Sequence, residues 1–278
     1  MRNIQFFSCT ISIYPNLLKP PISSKEVPPI ELIEKEILDK RDFRITHRNK
    51  SIKVLFRDLE IDDKTLQGGK IAVHKSKFIT DDDGKHLEEV QIDDYPNILF
   101  LWSQKRQIIY IQTNIKYKIG IDIGAFSKIL ENIFTKLLRG YYSVNVKIMP
   151  LKGRFWEIIK ESEKIYNIEF NLISPNIAGR TDKEVRAYLT EQKERYNVTN
   201  ISETLENKDG NLKINEEDEI LNAKVRTTEQ TGGIWKIKNN HGTQKSSDRY
   251  TKTSVEGASN FFAQSILDKI IFEEENEL

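Results

Sequence analysis

Phe126, Ile129, Leu130, Ile133, Phe134, Leu137 and Leu138 recur at intervals of three and four and stop before Gly140. That spacing puts seven large apolar side chains on one helical stripe, which must be buried against another layer. The layer is available just upstream. After Tyr95-Pro96-Asn97 the run Ile98-Leu99-Phe100-Leu101-Trp102 predicts a central strand, and Ile108 to Gln112 returns beside it after a polar turn over Ser103 to Arg106. Val144, Val146 and Ile148 alternate as another strand on the far side of the helix. A helix flanked by antiparallel strands predicts an α+β chain, with mixed, mainly antiparallel sheets packed with several amphipathic helices.

The other segments fit that plan. Phe6 to Ile13 reads as an opening strand, and Pro28-Pro29 starts a helix with Ile30, Ile33 and Ile37 on one face. Ile52 to Ile61 and Lys70 to Ile79 read as strands joined through Gly68-Gly69, with a further turn at Asp81-Asp82-Asp83-Gly84. Past Pro150 the pattern changes. Phe155 to Ile165 suits a helix, Ile168 to Ile173 a strand, Thr181 to Tyr196 a charged helix and Glu216 to Val225 another. Ile234 to Lys238 and Ser246 to Thr253 read as a polar hairpin, and Val255 to Phe272 as a closing helix before Glu273, Glu274, Glu275 and Glu277. With 278 residues the expected division is 1–150 and 151–278, each an α+β unit.

Several classes of chemistry lack their residues. One cysteine and four scattered histidines (His47, His74, His86, His241) give no zinc spacing, and no phosphate-cradling or dinucleotide glycine motif occurs. No cofactor is expected. Cys9 lies in an apolar alternation and reads as a small buried hydrophobe. No apolar run reaches a membrane-spanning length and no signal-peptide pattern opens the chain, so the expectation is a cytoplasmic protein. The acids that could hold a nuclease metal are Asp81 to Asp83, Asp93 and Asp94, but the strand after Asp94 offers Gln112, Asn114 and Lys116 where a second acid would stand. A metal-dependent nuclease stays open as an alternative. So does a homodimeric scaffold built on the helices at 126–138 and 255–272.

Forty-three basic and 42 acidic residues leave a net charge of +1, so a polyanion would have to be met by local patches. The first holds Lys40, Arg41, Arg44, Arg48, Lys50, Lys53 and Arg57 against Asp42 alone. The second holds Lys236, Lys238, Lys245, Arg249 and Lys252 against Asp248 alone; Lys236 and Lys238 share one strand face while Trp235 and Ile237 point into the core. A looser third group is Arg139, Lys147, Lys152, Arg154 and Lys160. Lysines and arginines in such groups contact phosphates without reading sequence, which makes the first two patches candidate nucleic-acid sites.

The succession of a strand after Tyr95-Pro96-Asn97, the strand Ile108 to Gln112, the helix Phe126 to Leu138 and a strand ending near Met149-Pro150 resembles the middle of RexA-type phage exclusion proteins. Their closing part is similar too: a strand at Ile234 to Lys238, a polar turn, a strand at Ser246 to Thr253 and a last helix. Phage-defence subunits of the KwaB type share something of this order, and Ser174-Pro175-Asn176 before a helix resembles bacterial families in similar settings. The resemblance implies a bacterial, non-enzymatic, DNA-binding protein of antiviral defence or abortive infection, a homodimer or higher oligomer acting with a membrane partner. It transfers no individual residue.

Overall fold

The computed structural model describes residues 3–16, 27–47, 49–82, 84–85, 87–173, 183–196, 198, 200–256 and 263–276. It is an α+β protein in which every strand pairing among the described residues is antiparallel. The large sheet is organised by β1 (Asn3–Pro15). One edge of this long strand is shared in tandem by β14 (Lys252–Glu256), opposite Asn3 to Phe7, and β9 (Tyr142–Ile148), opposite Cys9 to Pro15. The other edge continues through β8 (Ile108–Gln112), β7 (Asn97–Ser103), β4 (Thr65–Val73), β3 (Lys50–Asp62) and β2 (Asp42–His47).

Side-chain alternation sorts the two faces of this sheet. Phe7, Cys9, Ile11, Phe56, Phe100 and Trp102 face α1 (Pro29–Lys40) and α3 (Ile123–Leu137), whose apolar stripes complete the main core. Cys9 is fully buried there, and burial pushes its thiol pKa up. Phe6, Leu101, Ile108, Tyr110 and Val255 face the other way, against Ala263, Ile266, Leu267 and Ile270 of α7 (Ala263–Asn276). The short α2 (Ile115–Ile119) ends at Gly120 and feeds α3 through Asp122, which caps the Ala125 amide at 2.9 Å.

The second core lies under a four-stranded sheet in the order β11 (Asn200–Glu206), β10 (Ile165–Ile173), β12 (Ile234–Asn239) and β13 (Gly242–Lys245). Ile168, Phe170, Leu172, Trp235 and Ile237 point to one face. There they meet α4 (Arg154–Glu161), α5 (Lys183–Tyr196) and α6 (Glu219–Thr231), with Phe155 edge-on to Trp235 at 5.5 Å.

Several expectations change, among them Ile165, which opens β10 rather than extending α4. The turn between β3 and β4 falls at Asp63-Lys64, both at positive φ, and Gly68-Gly69 lie inside β4. A Cβ on Gly68 would come within 2.5 Å of the Phe100 carbonyl and 2.9 Å of Ala263 Cβ, so the glycine serves close packing of β4 on β7 and α7 rather than a turn. The strand partner of β12 is β13, not the segment from 246 onward. That segment makes a 3-10 turn (Ser246–Asp248) and then β14, which crosses back to β1, and the last helix starts at Ala263. β14 and α7 therefore pack on the sheet of the first half, while the elements from α4 to β13 build the second core.

Candidate nucleic-acid interface

Among the described residues the second sheet is covered on one side only. Along β10 the pattern Asn167, Ile168, Glu169, Phe170, Asn171, Leu172 alternates, so three helices take the apolar face and the polar face is left to solvent. Registry fills in that face. Asn167 lies opposite Lys238 and Glu206, Glu169 opposite Lys236 and Thr204, and Asn171 opposite Ser202. On the outer side, Lys236 lies opposite Lys245 and Lys238 opposite Thr243. Directly opposed residues point to the same side of a sheet, so Lys236, Lys238 and Lys245 stand together among amides and hydroxyls, with the carboxylates of Glu169 and Glu206 on the same side. Lys236 is held by both oxygens of Glu169 at 2.8 and 2.9 Å. Lys238 and Lys245 are exposed and make no side-chain ion pair among the described residues.

The remaining expected cations are not brought to this face. Arg249 follows the 3-10 turn at the junction of the two cores, where its carbonyl accepts from the Leu151 amide at 3.1 Å. Lys252 belongs to β14, with its ammonium 5.7 Å from the centre of the Phe7 ring. Of the group at 40–57, Lys40 and Arg41 end α1, while Arg44, Lys50, Lys53 and Arg57 sit on β2 and β3 at the end of the large sheet farthest from β14. Much of the group's charge is met locally. Lys40 pairs with Glu36, Arg41 caps α1 and donates to the Leu38 carbonyl, and Asp42 accepts from Arg57 at 2.5 Å and Lys53 at 3.1 Å. Partial burial raises the Asp42 pKa, but these two cations outweigh it and hold the carboxyl below its ordinary value. Arg44 and Lys50 are exposed without such partners among the described residues, and Arg48 lies outside those residues. In the third group, Arg154 pairs with Glu157 at 2.8 Å, Lys160 with Glu216 at 3.0 Å and Lys147 with Glu131 at 3.4 Å.

The candidate metal-binding acids diverge. Asp93 and Asp94 are consecutive on β6 (Leu87–Asp94) and so face opposite sides; Asp93 bonds His74 at 2.9 Å, while Asp94 takes Lys77 at 3.2 Å. The His74 hydrogen bond, together with smaller effects, holds the Asp93 pKa down. Asp81 and Asp82 end the paired strand β5 (Lys75–Asp82), and Asp83 and His86 lie outside the described residues.

One buried acid stands near the start of the second core. Glu229 on α6 accepts from the Gly153 amide at the start of α4 at 3.1 Å, and burial pushes its pKa from 4.5 up to about 7 despite that bond and nearby Lys152. The folded protein therefore holds this proton more tightly than the unfolded chain. Its contribution to stability is full below pH 4.5 and is lost as pH rises through about 7. Glu229→Gln keeps an acceptor for Gly153 and removes the titration. In urea unfolding, the variant is expected to gain up to about 3 kcal/mol on the wild type between pH 4.5 and pH 8.

Taken together, fold and surface define an α+β protein with a covered central sheet and a second, open-faced sheet presenting lysines. The chain belongs to the DUF4747 family, described as a domain of unknown function, whose model matches residues 67–269 and so spans both cores. No curated protein and no solved structure matches it. Among the described residues, no helix is long and apolar enough to cross a membrane.

The lysines of this surface are legible in the sequence; Asn167, Asn171, Ser202 and Thr204 carry no local sign that they share it. The alternation from Asn167 to Leu172 signals a strand with one polar side. Which other strands extend that side depends on pairings 30 to 70 residues away, for which local pattern carries no signal.

Proposed function

We propose that this chain is a non-catalytic, sequence-independent nucleic-acid-binding protein of bacterial antiphage defence or abortive infection, and that the open face of the β11-β10-β12-β13 sheet is its contact surface. The observation that carries the reading is the placement of Lys236, Lys238 and Lys245 on one face that is uncovered among the described residues, two of them without carboxylate partners among those residues. Around them Asn167, Asn171, Ser202, Thr204 and Thr243 supply uncharged hydrogen-bonding groups suited to phosphate and sugar. Four strands about 4.8 Å apart make a platform wide enough for a single strand's backbone. The defence role rests on the RexA-type order of elements.

Lys238→Gln/Lys245→Gln is the decisive variant. Against a fluorescent mixed-sequence oligonucleotide, single-stranded and duplex, the wild type is expected to bind with an affinity that falls steeply with salt. The double variant is expected to lower the slope of log K against log salt by about 1.5. Arg44→Gln/Lys50→Gln, on the large sheet, is expected to bind like wild type. Equal slopes for wild type and the Lys238/Lys245 variant would remove this face from the account.

A further inference from the structure

The strands β4 and β7 continue past the edge of the large sheet. Beyond His74 and Tyr95-Pro96 they run on as β5 and β6, paired from Lys75 opposite Asp94 to Asp82 opposite Leu87. This ribbon reaches about 26 Å at the usual strand rise. Lys75 to Thr80 are all exposed, with Phe78 at 65%, Ile79 at 42% and, across the ribbon, Val90 at 39%. Among the described residues no third strand pairs with either edge. A lone two-stranded ribbon is marginal in water, and its bare edges are templates for another strand.

The two edges differ in charge. β6, LEEVQIDD, carries Glu88, Glu89, Asp93 and Asp94 and no cation, so pairing it with itself sets like charges together. β5, KSKFITDD, has Lys75 and Lys77 at its start and Asp81 and Asp82 at its end. Reversed, it is its own complement. A two-fold axis perpendicular to a sheet preserves which side each residue faces, so symmetric antiparallel pairing must centre on one residue. Centred on Ile79, it sets Lys77 opposite Asp81 of the second copy, Ser76 opposite Asp82 and Phe78 opposite Thr80. Because Ile79 is already opposite Val90, one side of the joined ribbon gains the unbroken row Val90, Ile79, Ile79, Val90.

We propose that two copies of this chain associate by antiparallel β5 to β5 pairing centred on Ile79, giving a four-stranded ribbon between the two bodies. Helix-mediated dimerisation has less to work with, since Phe126, Ile129, Ile133 and Phe134 of α3 and Ile266, Leu267 and Ile270 of α7 are buried within their own chain. An edge of eight residues is small for a protein interface, so the dissociation constant belongs in the micromolar range. The inference is independent of nucleic-acid binding, because the ribbon shares no residue with the lysine-bearing sheet.

Sedimentation equilibrium of the full chain tests it, with circular dichroism to establish that each variant is folded. The wild type is expected to be a reversible dimer. Lys77→Asp alone and Asp81→Lys alone each set like charges opposite one another twice across the axis, and each is expected to weaken the dimer by about tenfold or more. Lys77→Asp/Asp81→Lys together restores the complement across the axis, while the Lys77–Asp94 pair within each ribbon is lost in it as in Lys77→Asp alone, and it is expected to bind at least about fivefold more tightly than Lys77→Asp. Ile79→Lys, which brings two ammonium groups together at the axis, is expected to give monomer. A wild-type monomer throughout the micromolar range would overturn the proposal and leave the ribbon to a different partner. Indifference to the single charge changes, or failure of the exchanged pair to bind more tightly than Lys77→Asp, would overturn it equally.

Discussion

Glu34→Ala is expected to destabilise the protein by about 4 kcal/mol, measured by urea unfolding followed through tryptophan fluorescence. The carboxylate sits on α1 with 4% exposure and is the shared acceptor for three donors from three other places in the chain. Its Oε1 takes the Leu66 amide of β4 at 2.6 Å; its Oε2 takes the Trp102 indole of β7 at 3.2 Å and the Gln104 amide at 2.9 Å. Burial raises the Glu34 pKa, while these donors favour the charged form. Alanine removes the acceptor and leaves the Leu66 and Trp102 donors buried, each at about 1 to 3 kcal/mol, besides opening a void. Glu34→Gln, which retains one carbonyl oxygen but turns an amide toward a donor, is expected to lose roughly half as much. If alanine cost no more than glutamine, the network would contribute little, and α1 would be held by Ile30, Ile33 and Ile37 alone.

Glu34 also marks a limit of sequence pattern. In the helical spacing of α1 it is one polar residue among several, and nothing local separates it from Glu31 or Glu36; its role comes from a strand 32 residues away and a tryptophan 68 residues away. Where burial alone decides the structure, the sequence was legible. The stripe from Phe126 to Leu138, the strands around Phe100 and Ile109, and the inward side of Trp235 all lie where hydrophobic period places them. β11 is not legible in the sequence, because an edge strand of Asn200, Ser202, Thr204 and Glu206 shows little apolar character of its own. The misplaced hairpin has a related cause: β12 and β14 are both plausible strands in sequence, and only the large sheet's vacant place beside Asn3 to Phe7 assigns β14 to β1. The ribbon's self-complementarity does leave a local trace, since Lys75, Lys77, Ile79 and Asp81 share one parity, but the trace has meaning only because β5 has no outer neighbour among the described residues.

Gly232→Ala is expected to cost about 3 kcal/mol, and Gly140→Ala, its matched control, about 1 kcal/mol. Both glycines follow helices with φ at 73°, where an L side chain pays the same backbone penalty. Their surroundings differ. A Cβ on Gly140 meets nothing within 4 Å, whereas one on Gly232 would lie 2.3 Å from Lys147 Cβ and 3.1 Å from Thr10 Oγ1. Neither neighbour is free to retreat. Lys147 and Thr10 are paired residues of β9 and β1, and the Thr10 hydroxyl bridges to the carbonyls of Lys147 at 3.3 Å and Thr231 at 3.1 Å. The clash must push α6 off the large sheet, and α6 leads straight into β12, which carries Lys236 and Lys238. The difference between the two variants therefore measures the contact that fixes the open sheet against the central one. Denaturation of both under the same conditions reads it directly, and equal losses would mean that the junction yields, so that the second core keeps its place by other contacts.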